Sequence, residues 1–335
     1  MKEAIVSKGP RVEIIDSPIP KPNAEQVLIK VVVSGSNPKD WKMAEFRNIT
    51  GNAGDDIAGV VQEVGENVTE FKPGDRVAAF HQMAQPGGSY AEYAIARQHV
   101  TFHIPPQTTF EEAAAIPLAA MTAAVGLYGH LGLPQPWTPA TESIPLVIHG
   151  ASSAVGAYAV QFSRKSNIHP LICIAGESRS YVETLIDRSK GDTIIDYREG
   201  DDAVVESLKK ASAGSEILYA FDATSEHNSY ATVSHVLAKG SKIAGVLPAN
   251  NYEFPLHISN SVVLVGNVHT TYKDFGFVYF RYIGRALQEG WFKAQPQEVV
   301  PGGLGGIRKA LEDLKAGKAH AVKYVFRIAD TEGVV

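Results

Sequence analysis

The residues best suited to chemistry lie in Leu146-Val-Ile-His149-Gly150-Ala-Ser152-Ser153-Ala154-Val155-Gly156-Ala-Tyr-Ala-Val-Gln161-Phe162. An apolar run of strand type ends at Gly150, and a turn of small residues follows. An Ala-rich run with helical spacing then opens at Gly156. Strand–turn–helix units of this kind bring backbone N–H groups to a phosphate at a helix N-terminus. Bulky side chains would hold a pyrophosphate away, whereas Gly, Ala and Ser admit it. The expected phosphate site is Gly150, Ser152, Ser153, Ala154, Val155 and Gly156, with the two serines adding hydroxyl donors. The spacing Gly-x-x-x-x-x-Gly, in place of Gly-x-Gly-x-x-Gly, also fits a plain strand-to-helix connection.

The next strand candidate ends in Cys173-Ile-Ala175-Gly176-Glu177-Ser178-Arg179. An acidic residue near this point binds the ribose 2′-hydroxyl of NAD, and Gly176 stands in that place. Ser178 and Arg179 offer a hydroxyl and a guanidinium to a 2′-phosphate, which favours NADPH. Glu177 could serve as the acid instead. Tyr197 closes the following strand, where its ring can stack on adenine or simply pack. Gly245-Val-Leu247-Pro248 and Gly266-Asn-Val268-His269 end the last two strand candidates, and Leu247, Val268 and His269 are expected to line a nicotinamide crevice at the sheet's carboxyl edge.

The elements that must position these residues divide the chain. Residues 1 to about 118 hold short Val- and Ile-rich runs separated by turns such as Lys72-Pro-Gly-Asp75, the pattern of a compact barrel. From 146 onward, strands at 146–149, 170–174, 193–196, 217–222, 241–247 and 261–266 alternate with helices at 156–166, 179–189, 202–211, 227–238 and 277–290. That alternation implies a parallel sheet covered on both faces. The tail, with a helix from Ile307 to Gly317 and a strand at Lys323-Tyr-Val-Phe-Arg-Ile, reads as returning to the first domain. The expected fold class is α/β. Residues 1–120 and 273–335 form the barrel domain, and 121–272 form a doubly wound parallel-sheet domain.

Composition sets the bounds. The chain has 335 residues, 44% of them apolar, and a formal charge of −5. No basic footprint for nucleic acid is present. No apolar run is long enough for a membrane span, and the N-terminus has no leader-like core, so a cytoplasmic location is expected. The only cysteine, Cys173, lies in an apolar run and rules out a disulfide framework.

Taken together, several stretches resemble the medium-chain dehydrogenase/reductase superfamily along nearly the whole chain. They are Val33-Ser-Gly-Ser36-Asn37-Pro38-Lys-Asp40-Trp41-Lys42, Gly54-Asp55-Asp56-Ile-Ala-Gly59, Phe71-Lys-Pro-Gly-Asp-Arg76, Gly88-Ser-Tyr-Ala-Glu-Tyr93, Pro117 to Thr122-Ala, and the Gly150–Gly156 turn. The resemblance implies a GroES-like barrel joined to a Rossmann domain. Its zinc enzymes use Cys and Gly-His-Glu ligands, where this chain has Ser36-Asn37 and Gly54-Asp55-Asp56. The four-Cys structural-zinc lobe is missing too, so no metal site is expected. Asn37-Pro-Lys-Asp-Trp-Lys42, Leu131-Gly-Leu-Pro134-Gln-Pro136 and Pro301-Gly-Gly-Leu304 are similar to fungal trans-acting enoyl reductases. The phosphate turn is nearer the quinone-oxidoreductase form.

The activity so implied is NADPH-dependent hydride transfer to an activated C=C of an enoyl thioester or enone, in polyketide-type secondary metabolism. The resemblance places 36–42 beside the nicotinamide. Lys42 is expected to meet the substrate carbonyl, with Asn37 and Thr122 as further catalytic residues. The expected partners are a small-molecule or carrier-bound enoyl substrate and a polyketide synthase, with the chain a monomer or homodimer. The edge for a dimer would be 262–268, and the pocket walls would include Phe275, Phe277, Tyr279 and Phe280. A quinone or alkenal reductase, and an NADPH-binding accessory protein without turnover, are the competing readings.

Overall fold

The structure, a computed structural model, describes residues 1–212, 214–250 and 252–334. Its elements fall into two compact units, Met1–Met121 with Gly266–Val335, and Thr122–Val265.

The first unit opens with β1 (Lys2–Ser7) and β2 (Arg11–Asp16), an antiparallel pair of their own. Then come β3 (Gln26–Gly35), α1 (Pro38–Arg47), β4 (Asp56–Val64), β5 (Arg76–Phe80), β6 (Tyr93–Arg97), β7 (Thr101–His103), α2 (Phe110–Ala114) and the start of α3 (Pro117–Ala124). β3 organises the sheet. Its run Val27-Leu-Ile-Lys-Val-Val-Val is β-branched nearly throughout and pairs with β4, β6 and the distant C-terminal strand. The register shifts in its pairing with β4, and such irregularities bend a strand. The core includes Val27, Ile29, Ile57, Val77, Tyr90 and Phe326.

The second unit holds β8 (Leu146–His149), α4 (Ala154–Lys165), β9 (Leu171–Ala175), α5 (Arg179–Glu183), β10 (Thr193–Asp196), α6 (Asp201–Ala211), β11 (Ile217–Asp222), α7 (Ser229–Ser234), β12 (Leu237–Gly245) and β13 (Ile258–Val262). All five pairings are parallel, in the order β10-β9-β8-β11-β12-β13. In sequence terms this is 3-2-1-4-5-6, the doubly wound dinucleotide-binding order. The order reverses between β8 and β11, which makes their carboxyl ends the switch point. β9 is buried at every position, Cys173 included, and burial pushes that thiol's pKa up.

The chain then re-enters the first unit through α8 (Lys273–Gln288), β14 (Gln297–Val299), α9 (Ile307–Lys315) and β15 (Lys323–Arg327). β15 pairs antiparallel with β3, placing Val325 opposite Gly35. Leu304, Ile307 and Leu311 fill the barrel core. The first unit is therefore discontinuous in sequence.

Several sequence expectations change. The helix expected over 179–189 ends at Glu183, because Asp187 accepts the Ser189 N–H and Gly191 turns left-handed to form a separate short turn. The helix expected over 227–238 shrinks to 229–234, since His227 and Asn228 both have positive φ and Leu237 already begins β12. The strand expected over 261–266 is β13, at 258–262. It leaves the sheet where its partner β12 ends at Gly245, and a 3-10 turn occupies Val265–His269. Of the expected edge 262–268, only Val262 is strand. Among the pocket-wall residues, Tyr279 and Phe280 are core side chains, while Phe277 is 42% exposed and lies under the Arg281 guanidinium.

Candidate active site

The phosphate turn begins where β8 ends. Gly150 has φ +71, a left-handed backbone that glycine adopts without strain. Ser153 caps α4, its hydroxyl accepting the Gly156 N–H at 3.0 Å. A Cβ on Gly156 would stand 2.2 Å from the Gly150 carbonyl oxygen and 2.8 Å from the Ala151 Cα. Only glycine lets helix and strand approach this closely. Ala151 and Gly156 are buried, while Ser152, Ser153, Ala154 and Val155 are half-buried. The first amides of a helix have no acceptor within it, so the turn presents donors beside small side chains. These residues fit a dinucleotide pyrophosphate.

The switch point carries a polar pair, His149 and Asp222. His149 Nδ1 lies 2.9 Å from the Thr224 hydroxyl and 3.5 Å from Asp222 Oδ1. Asp222 is buried and accepts from Ser229 Oγ at 2.5 Å and Ser225 N at 2.8 Å. Burial would raise its pKa, but the hydrogen bond and charge of His149 and the Ser229 hydroxyl hold it below the usual carboxylate value. The pairing of Asp222 with His149 across β11 and β8 is a register fact that no local pattern reveals.

The edge of β9 and β10 brings together the residues expected to read the adenosine end. A Cβ on Gly176 would meet the Tyr197 ring at 2.6 Å, so Tyr197 lies over the glycine and is 52% exposed. Asp196 takes Arg198 in a two-pronged pair, at 2.9 and 2.6 Å. It also holds Arg179 more loosely, at 3.5 Å. Hydrogen bonds from Arg198 lead in lowering the Asp196 pKa to about 2, against a smaller desolvation effect. Ser178 immediately precedes α5, and its side chain makes no capping bond there. Leu247 is half-buried just beyond β12.

Val268 and His269 are not at a strand end. They sit in the turn that re-enters the first unit. Val268 is fully buried, and its carbonyl lies 2.9 Å from His99 Nε2. His269 is 3% exposed, packs on Phe80, and has no hydrogen-bond partner for either ring nitrogen among the described residues. Desolvation, with the nearby His99 and His81, lowers its pKa to about 3.

In the first unit, α1 starts after Asn37 with Pro38 in its first turn. Asn37 is 3% exposed, and its amide is engaged at both ends. Nδ2 donates to Asp56 Oδ2 at 2.8 Å, and Oδ1 accepts from Lys323 Nζ at 2.7 Å. Its side chain therefore holds protein groups. Lys42 follows one turn into the helix, half-buried, with Nζ 5.6 Å from the Trp41 ring centre. Thr122 is 5% exposed in α3. Asp55 is engaged by Lys39 and by His81. Among the described residues, no helix is long and apolar enough to cross a membrane.

Comparison with known proteins shows the family. The alcohol dehydrogenase GroES-like domain family matches residues 23–106. The trans-enoyl reductase fsr4 of Gibberella fujikuroi is 55% identical over 312 residues, covering 91% of this chain and 92% of that protein. The trans-enoyl reductase resD of Aspergillus sclerotiorum is 28% identical, over 97% of this chain and 100% of that one. Among solved structures, the CurK enoyl reductase matches with a TM-score of 0.77 at 20% identity, over 97% of this chain and 98% of that one. The quinone oxidoreductase from Coxiella burnetii gives 0.73 at 20% identity, over 98% and 99%. At such identities the likeness carries the fold alone. With 55% identity along nine-tenths of both sequences, a GroES-like unit and a doubly wound sheet, the chain belongs to the trans-enoyl reductases of the medium-chain dehydrogenase/reductase superfamily.

Proposed function

We propose that this protein is an NADPH-dependent enoyl reductase that saturates the activated C=C of an enoyl thioester, carrier-bound or free, beside a polyketide synthase in the cytoplasm. The observation that carries this reading is the 55% identity to a named trans-enoyl reductase over 91% of the chain. The phosphate turn and the 36–42 stretch support it, because a reductase needs both a dinucleotide cradle and donors for the substrate.

When bound, the dinucleotide supplies a hydride to the β-carbon of the alkene. Negative charge then gathers on the thioester oxygen, and a proton must reach the α-carbon. Lys42 is the candidate donor to that oxygen, since an ammonium stabilises the developing charge. Thr122 offers a hydroxyl to the ribose or amide of the cofactor. Asn37 acts by fixing the start of the Lys42 helix. The turn from Gly150 to Gly156 holds the pyrophosphate. Tyr197 covers the adenine, and Ser178 with Arg179 binds the 2′-phosphate. That last pairing supports NADPH over NADH.

The test is NADPH oxidation with an enoyl thioester, a quinone and an alkenal in parallel. Turnover fastest on the thioester, with one saturated product per NADPH, is expected. Turnover on the quinone alone would overturn the proposal, as would tight NADPH binding with no turnover on any acceptor.

A further inference from the structure

Asp56, the first residue of β4, is fully buried, and its two oxygens face different elements. Oδ1 accepts the Leu118 N–H at 2.7 Å, in the first turn of α3. Oδ2 accepts from Asn37 Nδ2 at 2.8 Å and from Lys323 Nζ at 2.8 Å. Lys323, the first residue of β15, is 5% exposed and also donates to Asn37 Oδ1 at 2.7 Å. One ammonium therefore binds both the residue that opens α1 and the carboxylate that caps α3. Asp40 holds the other side of the α1 start, accepting the Asn37 N–H at 2.7 Å and the Tyr90 hydroxyl at 2.6 Å.

Burying a charged pair is a poor route to stability, because desolvation cancels much of the attraction. What hydrogen-bonded charges add is direction. Lys323 requires the oxygen of the Asn37 amide, and Asp56 requires its nitrogen, so the amide has a single orientation. We propose that Lys323 is a positioning residue of the reductase site: through Asn37 and Asp56 it sets where α1 and α3 begin, and with them Lys42 and Thr122. This inference rests on the function proposed above. Lys323 bonds Asn37 and Asp56, and its effect passes through the helix starts. Misplacing a reacting group by about 1 Å can cost about 100-fold in rate.

The test compares Lys323→Met, which keeps the stem and removes the charge, with Lys323→Arg and with the double variant Lys323→Met/Asp56→Asn. The double variant leaves no unpaired buried carboxylate, so it separates charge compensation from positioning. Readouts are kcat and KM with the best acceptor, the NADPH Kd, Tm, and hydrogen exchange over residues 37–47. Lys323→Met is expected to lower kcat by about tenfold or more while the NADPH Kd changes less than about threefold. Lys323→Arg should recover part of kcat. The double variant should regain Tm but not kcat, and should keep faster exchange at the start of α1. Recovery of both Tm and kcat in the double variant would overturn the proposal, as would unchanged exchange over 37–47 in both Met variants. Exchange needs no turnover, so a wild-type protein inactive on every acceptor would refute the enoyl reductase reading while this measurement still decides the positioning.

Discussion

Replacing Arg179 by alanine tests the 2′-phosphate assignment. Arg179 reaches Asp196 only at 3.5 Å, and its side chain is 60% exposed, so its donors are not consumed by the protein. Arg198, by contrast, is committed to Asp196 at 2.6 and 2.9 Å. A hydrogen bond to a charged group contributes about 1.5–3 kcal/mol when well shielded. Exposure argues for a value around or below the bottom of that range, about 1–2 kcal/mol, or roughly 5- to 30-fold in Kd. NADH has no 2′-phosphate and should change by less than about twofold. Protein fluorescence titrated with each dinucleotide at two ionic strengths gives the numbers, and the NADPH loss should shrink at high salt. Equal weakening of NADPH and NADH would assign Arg179 to packing of the β9–α5 corner. No change for either would remove it from the cofactor site.

Other outcomes follow from the same geometry. Gly156→Val should lose about 1–3 kcal/mol of stability and most dinucleotide affinity, because its new side chain meets the Gly150 carbonyl, a backbone atom that cannot yield; melting and titration read both. Lys42→Ala should lower turnover by about tenfold or more with NADPH affinity retained, and an unchanged rate would remove Lys42 from the mechanism. His269 is held neutral in the fold down to about pH 3, whereas in the unfolded chain it takes a proton near pH 6.5. The unfolded state thus binds more protons between those values, so stability is intact above that window and falls with acidification through it, by up to about 1.4 kcal/mol per pH unit. His269→Gln should flatten that slope in urea unfolding, and an identical slope would mean that other groups set the acid limit.

Much of the site is local and therefore readable in one dimension. Gly150 to Gly156 works through small residues at fixed offsets, and the same offsets make the turn in three dimensions. The alternation of β8 to β13 with helices specified a parallel sheet, because each apolar run had the length and branching of a strand. The returning tail was legible in Lys323-Tyr-Val-Phe-Arg-Ile. Errors came where a boundary depends on a neighbour. β13 stops where β12 stops, so Val268 and His269 were expected one element too early. α5 ends early because the Asp187–Gly191 segment folds into its own capped turn.

Near neighbours and patterning are enough to read the two-unit division, the small-residue turn from Gly150 to Gly156 and the residue types around Gly176. Which charges meet depends on packing in three dimensions. Lys323 and Asp56 lie 267 residues apart and pair because β15 and β4 flank β3, while His149 and Asp222 meet because β8 and β11 are adjacent at the switch point. A buried charge must find a partner, but which partner it finds is fixed by strand order, and strand order is a property of the packed sheet.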